Sequence, residues 1–184
     1  MRVIAGTARS LRLKTIPGQN TRPTTDRIKE TLFNMMQPYI GDSVFLDLFA
    51  GSGGIGIEAL SRGAKKVYFV ENDKSAFACI SENVKFTRFE EQSVLLKQDV
   101  LGALSMIGEK EVDLIFMDPP YLSGYERKVL SILSQKAYVT ENTIIVMEAA
   151  LESDFSYVEE LGFEITKVKN YKTNKHVFVA REGD

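Results

Sequence analysis

The apolar and polar positions of the chain change rhythm at about residue 40. Before it, Arg2-Val3-Ile4-Ala5-Gly6 and Leu11-Arg12-Leu13-Lys14 nearly alternate around a turn carrying Gly6 and Ser10. This predicts a β-hairpin with exposed arginines, closed by Pro17-Gly18. Thr21-Arg22-Pro23-Thr24-Thr25-Asp26 then puts a proline and capping residues ahead of Ile28, Leu32, Met35 and Met36 at helical spacing. An amphipathic helix follows, which Pro38 ends. The two methionines read as core filler.

From residue 44, apolar runs of strand length alternate with helical stripes. Strands are expected over 44–48, 66–71, 92–97, 112–117, 143–148, 163–169 and 175–181. Helices are expected over 55–61, 74–86, 100–107, 125–135 and 153–160. Phe77, Ile80 and Val84 make the inward stripe of the second of these helices, and Arg62-Gly63 gives the first a basic last turn and a C-cap. The alternation predicts an α/β fold: a doubly wound, seven-stranded, mostly parallel, Rossmann-like sheet with its ligand crevice at the carboxyl ends of the strands. Only residues 170–174 separate the last two strands, so these should pair as an antiparallel hairpin. Residues 1–40 are expected to be a basic hairpin and helix appended to a core of 41–184, in one globular unit.

Composition narrows the class. The 184 residues are 44% hydrophobic and 26% charged, enough for one domain with a full core. No apolar run approaches the roughly 18 residues of a membrane span, and no signal-peptide core is visible, so a cytoplasmic, monomeric protein with no membrane contact is expected. A single cysteine, Cys79, lies between Phe77 and Ile80 and reads as a buried structural thiol. With one His and one Cys, no metal site is expected. Charge is uneven: residues 1–40 hold seven Lys or Arg against Asp26 and Glu30, whereas the remainder holds 16 against 23 acids. Arg2, Arg9, Arg12 and Lys14 are therefore candidates for contact with a phosphate backbone, with a merely solvated face as the alternative.

The candidate chemistry centres on Asp47-Leu48-Phe49-Ala50-Gly51-Ser52-Gly53-Gly54-Ile55-Gly56. An apolar run, a carboxylate and three spaced glycines predict a strand, a tight turn and a helix start that bring bare backbone amides to a ligand. The spacing alone is weak evidence. Glu71 adds weight, ending the next apolar run 20 residues after Gly51, where such βαβ units place a carboxylate on ribose hydroxyls. Asp47 turns the reading from a pyrophosphate, which it would repel, to the cationic tail of S-adenosylmethionine. The more specific signal is Asp118-Pro119-Pro120-Tyr121 after the strand at 112–117.

Residues 21–34 (TRPTTDRIKETLFN), 47–64 (DLFAGSGGIGIEALSRGA) and 113–121 (DLIFMDPPY) together resemble the bacterial small-subunit (16S) rRNA guanine-N2 methyltransferase family, along nearly the whole chain. The one visible departure is Gly54-Ile55 where Ala-Leu is expected. The resemblance implies a class I methyltransferase acting on the exocyclic amine of a guanine in 16S rRNA, within a partly or fully assembled small subunit. It places S-adenosyl-L-methionine against Asp47, Phe49, Ala50, Gly51, Ser52, Gly53 and Gly56. Glu71 and Asn72 would lie at the ribose and Asp99 and Val100 at the adenine, with Arg22 and Thr24 folding over from the preceding loop. Asp99, Asn72, Asp73 and Thr24 have an alternative reading as helix caps. Asp118, Pro119, Pro120 and Tyr121 would carry the reaction: two N–H bonds directed to the Asp118 carboxylate and the Pro119 carbonyl, and the base stacked on Tyr121. Glu148 is a softer crevice candidate. Tyr171 and His176 are softer RNA contacts, a lone His more often being structural. Competing readings are an adenine-N6 DNA methyltransferase, an NAD-dependent oxidoreductase and a non-catalytic RNA-binding assembly factor.

Overall fold

The computed structural model describes residues 1–16, 26–121 and 123–183. Its strands are β1 (Val44–Leu48), β2 (Lys66–Val70), β3 (Ser93–Leu96), β4 (Leu114–Met117), β5 (Ile144–Ala150), β6 (Phe163–Asn170) and β7 (Asn174–Arg181). They form one sheet in the order β3-β2-β1-β4-β5-β7-β6. The first five run parallel, and β7 is antiparallel to both β5 and β6. The seven-stranded, mostly parallel sheet and its closing hairpin are as expected. The order reverses direction between β1 and β4, which opens a crevice at their carboxyl ends.

Helices cover both faces. On one side α1 (Asp26–Met36), α2 (Gly54–Ser61) and α3 (Lys74–Thr87) pack Leu32, Phe33, Ile57 and Ile80 against Phe45, Phe69, Phe116 and Val146. On the other, α4 (Val100–Ala103) and α5 (Tyr125–Leu133) bring Ala103, Val129, Leu130 and Leu133 against Leu46, Val70, Ile115 and Met147. A sheet buried on both faces explains why its central strands read as unbroken apolar runs. Helix α2 lies so close to the sheet that a Cβ on Gly56 would stand 2.3 Å from the Phe69 ring. Only glycine fits there.

Three expectations need correction. The N-terminal hairpin shrinks to one antiparallel bridge, Arg2 with Arg12. The amides that a second strand would have paired go elsewhere: Ile4 and Ala5 donate to the Glu58 carboxylate, Thr7 to the Ser61 carbonyl and Ala8 to Ser61 Oγ. The helix expected over 100–107 stops at Ala103, because Gly102 weakens it and the following residues turn away. No helix forms over 153–160. Asp154 accepts from the amide and hydroxyl of Ser156, an Asx-type turn that competes with helix, and a short 3₁₀ turn follows at Glu159–Leu161. Pro17-Gly18 and the capping stretch of residues 21–25 lie outside the described residues. Helix α1 ends at Met36, with Pro38 inside the 3₁₀ turn Gln37–Tyr39. Met36 is buried, as is Cys79, whose thiol is pushed up by burial first. Among the described residues, no helix is long and apolar enough to cross a membrane.

At the far rim, β6 is exposed from Glu164 to Asn170 and carries a bulge between Ile165 and Lys167.

Candidate active site

The tip of β1 builds the floor of the crevice. The chain leaves the strand through Phe49, whose φ of 61° is rare for an aromatic residue, and continues through Gly51 (φ 57°) and Gly53 (φ 81°) into α2. Gly53 donates to the Ala50 carbonyl at 2.8 Å, which closes the turn. Glu71, directly after β2, spans two loops: one oxygen accepts from Gly51 N and the other from Asp73 N, each at 2.9 Å. A Cβ on Gly51 would meet nothing within 4 Å, so the turn presents open space to a ligand. Asn83 of α3 fixes the turn from behind by donating to the Ser52 carbonyl at 2.9 Å.

Asp47 sits beneath this turn rather than in the open. It is 1% exposed, and one carboxylate oxygen accepts from Gly56 N at 2.8 Å. Burial, and then the nearby Glu71 charge, push its pKa up to about 7 against the pull of the Gly56 amide. Its influence on a ligand is therefore one of charge more than of open contact surface.

Asp118 follows β4. The residue is exposed at the crevice, yet its carboxyl is hemmed in by protein and held above the ordinary carboxylate range. Desolvation is the larger cause, with the negative charges of Glu148 and Asp47 behind it. Pro119 is buried, while Pro120 and Tyr121 are exposed, which leaves an aromatic residue at the mouth. Met117 and Met147 are register partners, so Asp118, just past β4, follows on beside Glu148 within β5. Glu148 is thus a crevice-side group. His176 is not an RNA contact: it is fully buried, with Nε2 3.3 Å from Glu148. Tyr171 is half-buried against it.

Asp99 is a helix cap, accepting from Leu101 N at 2.9 Å, and its second oxygen is 3.4 Å from the Tyr125 hydroxyl. Val100 is buried and Asn72 is exposed. Arg22 and Thr24 lie outside the described residues. The four basic candidates separate. Lys14 is close to the glycine turn, since Asn83, which holds Ser52, also binds the Lys14 backbone, and its amine pairs with Glu82. Arg12 is exposed beside a groove of about 440 Å³ that also includes Lys85 and Phe86. Arg2 pairs with Asp26 at 2.7 Å. Arg9 is exposed on the loop docked at Ser61, the end of α2 remote from the turn, about 12 Å away for eight residues. No metal-binding cluster occurs among the described residues.

The family described as conserved hypothetical protein 95 matches residues 1–180. The chain belongs to that family. It is similar to ribosomal RNA small subunit methyltransferase D of Haemophilus influenzae, 39% identical over 171 residues that cover 92% of this chain and 88% of the relative. The protein of the same name in Escherichia coli strain K12 is 32% identical over 155 residues, covering 83% and 76%. Among solved structures, an Escherichia coli chain provisionally assigned as a methyltransferase, yhhF, superposes with a TM-score of 0.86 at 28% identity, covering 100% of this chain and 99% of that one. These likenesses bear out the resemblance carried by residues 21–34, 47–64 and 113–121.

Within this family fold, two groups of residues escaped the sequence. Tyr125 packs edge-on to Phe49, ring centroids 5.2 Å apart, and so walls the turn beside Asp99. Only its place at a helix start hinted at it. Glu58, fully buried, binds Lys29 at 3.2 Å and Arg62 at 2.9 Å. The signal was a lone acid in the apolar helix sequence GIGIEALS.

Proposed function

We propose that this chain is an S-adenosylmethionine-dependent rRNA methyltransferase, and that its target is the exocyclic N2 amine of a guanine in small-subunit rRNA. The observation that carries the reading is the set of acids at adjacent strand ends: Glu71 after β2, Asp47 in β1, Asp118 after β4 and Glu148 in β5. Both Asp47 and Asp118 are held above their ordinary range first by burial, and then by neighbouring carboxylates: Glu71 for Asp47, and Glu148 followed by Asp47 for Asp118. Such a group favours a cation and disfavours a pyrophosphate. That argues against the oxidoreductase reading, which shares only the glycines and Glu71.

The residues present fit S-adenosylmethionine, which when bound supplies a methyl group on a positive sulfur. The open turn at Ala50 and Gly51 would face its amino-acid end, with Asp47 attracting the ammonium. Glu71 would accept from ribose hydroxyls with lone pairs not used by Gly51 and Asp73. Asp99, Tyr125 and Phe49 would wall the adenine. Asp118 and the Pro119 carbonyl would receive the two N–H bonds of the guanine amine and turn its lone pair toward the methyl, with Tyr121 stacking on the flipped base. The rate would come from alignment and from charge stabilisation, without a covalent intermediate.

The test is to incubate the protein with labelled donor and small subunits from a strain lacking this enzyme, digest the RNA and identify the labelled nucleoside. N2-methylguanosine is expected. A labelled methyladenosine, or label only in a DNA control, would replace the reading with the adenine-N6 one.

A further inference from the structure

A second chain of polar residues leads away from Asp118. Glu148 pairs with His176 across the β5–β7 ladder, and Asp118 follows the β4 residue that pairs with Met147. Aligned residues of a sheet share a face, so Asp118, Glu148 and His176 stand in a row. Asn174 donates to Glu148 Oε1 at 2.6 Å, and His176 Nε2 lies 3.3 Å from Oε2. Behind the imidazole, the Tyr171 hydroxyl is 3.2 Å from Nδ1. Burial, and then Glu148, keep that phenol above its usual range. Because an ionised carboxylate can only accept, the tautomer that fits both contacts carries its proton on Nε2, facing Glu148, and leaves Nδ1 to accept from the Tyr171 hydroxyl. Edge-on contacts with Phe116 and Tyr171 at 6.2 and 5.0 Å fix the ring. The transfer as described above uses none of this.

We propose that Glu148, clamped by Asn174 and by the Tyr171–His176 pair, is a positioning residue that makes Asp118 the acceptor of the proton a methylated amine must release. The inference rests on the methyltransferase reading. When the amine lone pair forms the new N–C bond, the methyl–sulfur bond breaks with its electron pair going to sulfur, which becomes neutral. The nitrogen is left with a positive charge and a proton in excess. That proton moves to the Asp118 carboxylate and then to water as product leaves. A negative Glu148 on the next strand disfavours a second negative charge at Asp118 and so raises its affinity for the proton. Among the described residues, the charged groups acting on Asp118 are Glu148 from β5 and Asp47 from β1, with Glu71 facing Asp47; His176 and Tyr171 face Glu148.

Carbon-13 NMR of the Asp118 carboxyl in the ligand-free chain tests this directly. Glu148→Gln should lower the Asp118 midpoint by about one pH unit, move the ascending limb of kcat to lower pH and cut its alkaline plateau about threefold, so that the loss shrinks or reverses below the wild-type midpoint. KM for RNA should stay within about twofold. Glu148→Asp should restore part of each change. Tyr171→Phe removes one hydroxyl from a half-buried ring and should shift the midpoint the same way by less; it decides the matter if Glu148→Gln does not fold. An unmoved Asp118 midpoint in the folded variants, or a kcat loss equal at every pH, would overturn the proposal. The titration needs neither donor nor RNA, so a wild-type chain that fails to methylate guanine would count against the proposed function and leave this measurement to stand.

Discussion

Buried acids toward the two ends of α2, Glu58 in its second half and Asp47 beneath its start, are treated in opposite ways. At the far end Glu58 has Lys29, Arg62 and the amides of Ile4 and Ala5 around it. Burial pulls the Lys29 amine down and the Glu58 charge pulls it partly back. Near the other end Asp47 has one amide, and the charges acting on Asp118 are carboxylates. A satisfied buried acid ties the chain together; acids left facing acids await a cation. Fold and function thus use one chemistry with and without compensation.

The contrast can be broken in four ways, the largest first. Asp118→Ala should lower methyl transfer about a thousandfold while leaving donor binding nearly intact and the melting temperature unchanged or raised, as read by single-turnover assay, calorimetry and thermal melting. Equal loss of binding and transfer would contradict its role. Glu58→Gln should do the reverse, costing about 3–5 kcal/mol in denaturant unfolding by stranding Lys29. Third, pH should separate the two ends. The Asp47 pKa is raised from 3.8 to about 7, so the folded chain keeps a proton there that the unfolded chain gives up. Its contribution to stability is present below pH 3.8 and is lost as the pH rises to about 7. Donor binding runs the other way, about tenfold tighter at pH 8 than at 5.5, and its thermal shift should grow with it. Last, replacing Arg9 and Arg12 by Ala should lower the slope of log affinity for RNA against log salt by about 1.5, in a filter-binding series. An unchanged slope would remove the N-terminal arm from the contact.

What was legible in the sequence was whatever local pattern decides. Strand periodicity, the glycines at 51, 53 and 56 and the carboxylate at 71 needed only their neighbours, and β6 and β7 were forced into a hairpin by the short link between them. The N-terminal hairpin is shorter than expected because the amides beyond its Arg2–Arg12 bridge are taken by Glu58 and Ser61, more than fifty positions away. The helix over 153–160 failed to a single side chain, Asp154, that outcompetes a turn of helix. His176 looked isolated because its partners, Glu148 and Tyr171, meet it through the β5–β7 ladder and the turn before β7, and no spacing records that.

The exposed outermost strand carries a further consequence. Among the described residues β6 pairs only with β7, so its outer edge offers a row of free backbone groups, with Ile165 43% and Val168 48% exposed beside it, which is the raw material for stacking one molecule on the next into fibrils. The kink after Ile165 and the lysines at 167 and 169 spoil the fit of any incoming strand. Those two cations guard the rim, and neutralising them should show first as turbidity on storage at high concentration, with the fold itself intact.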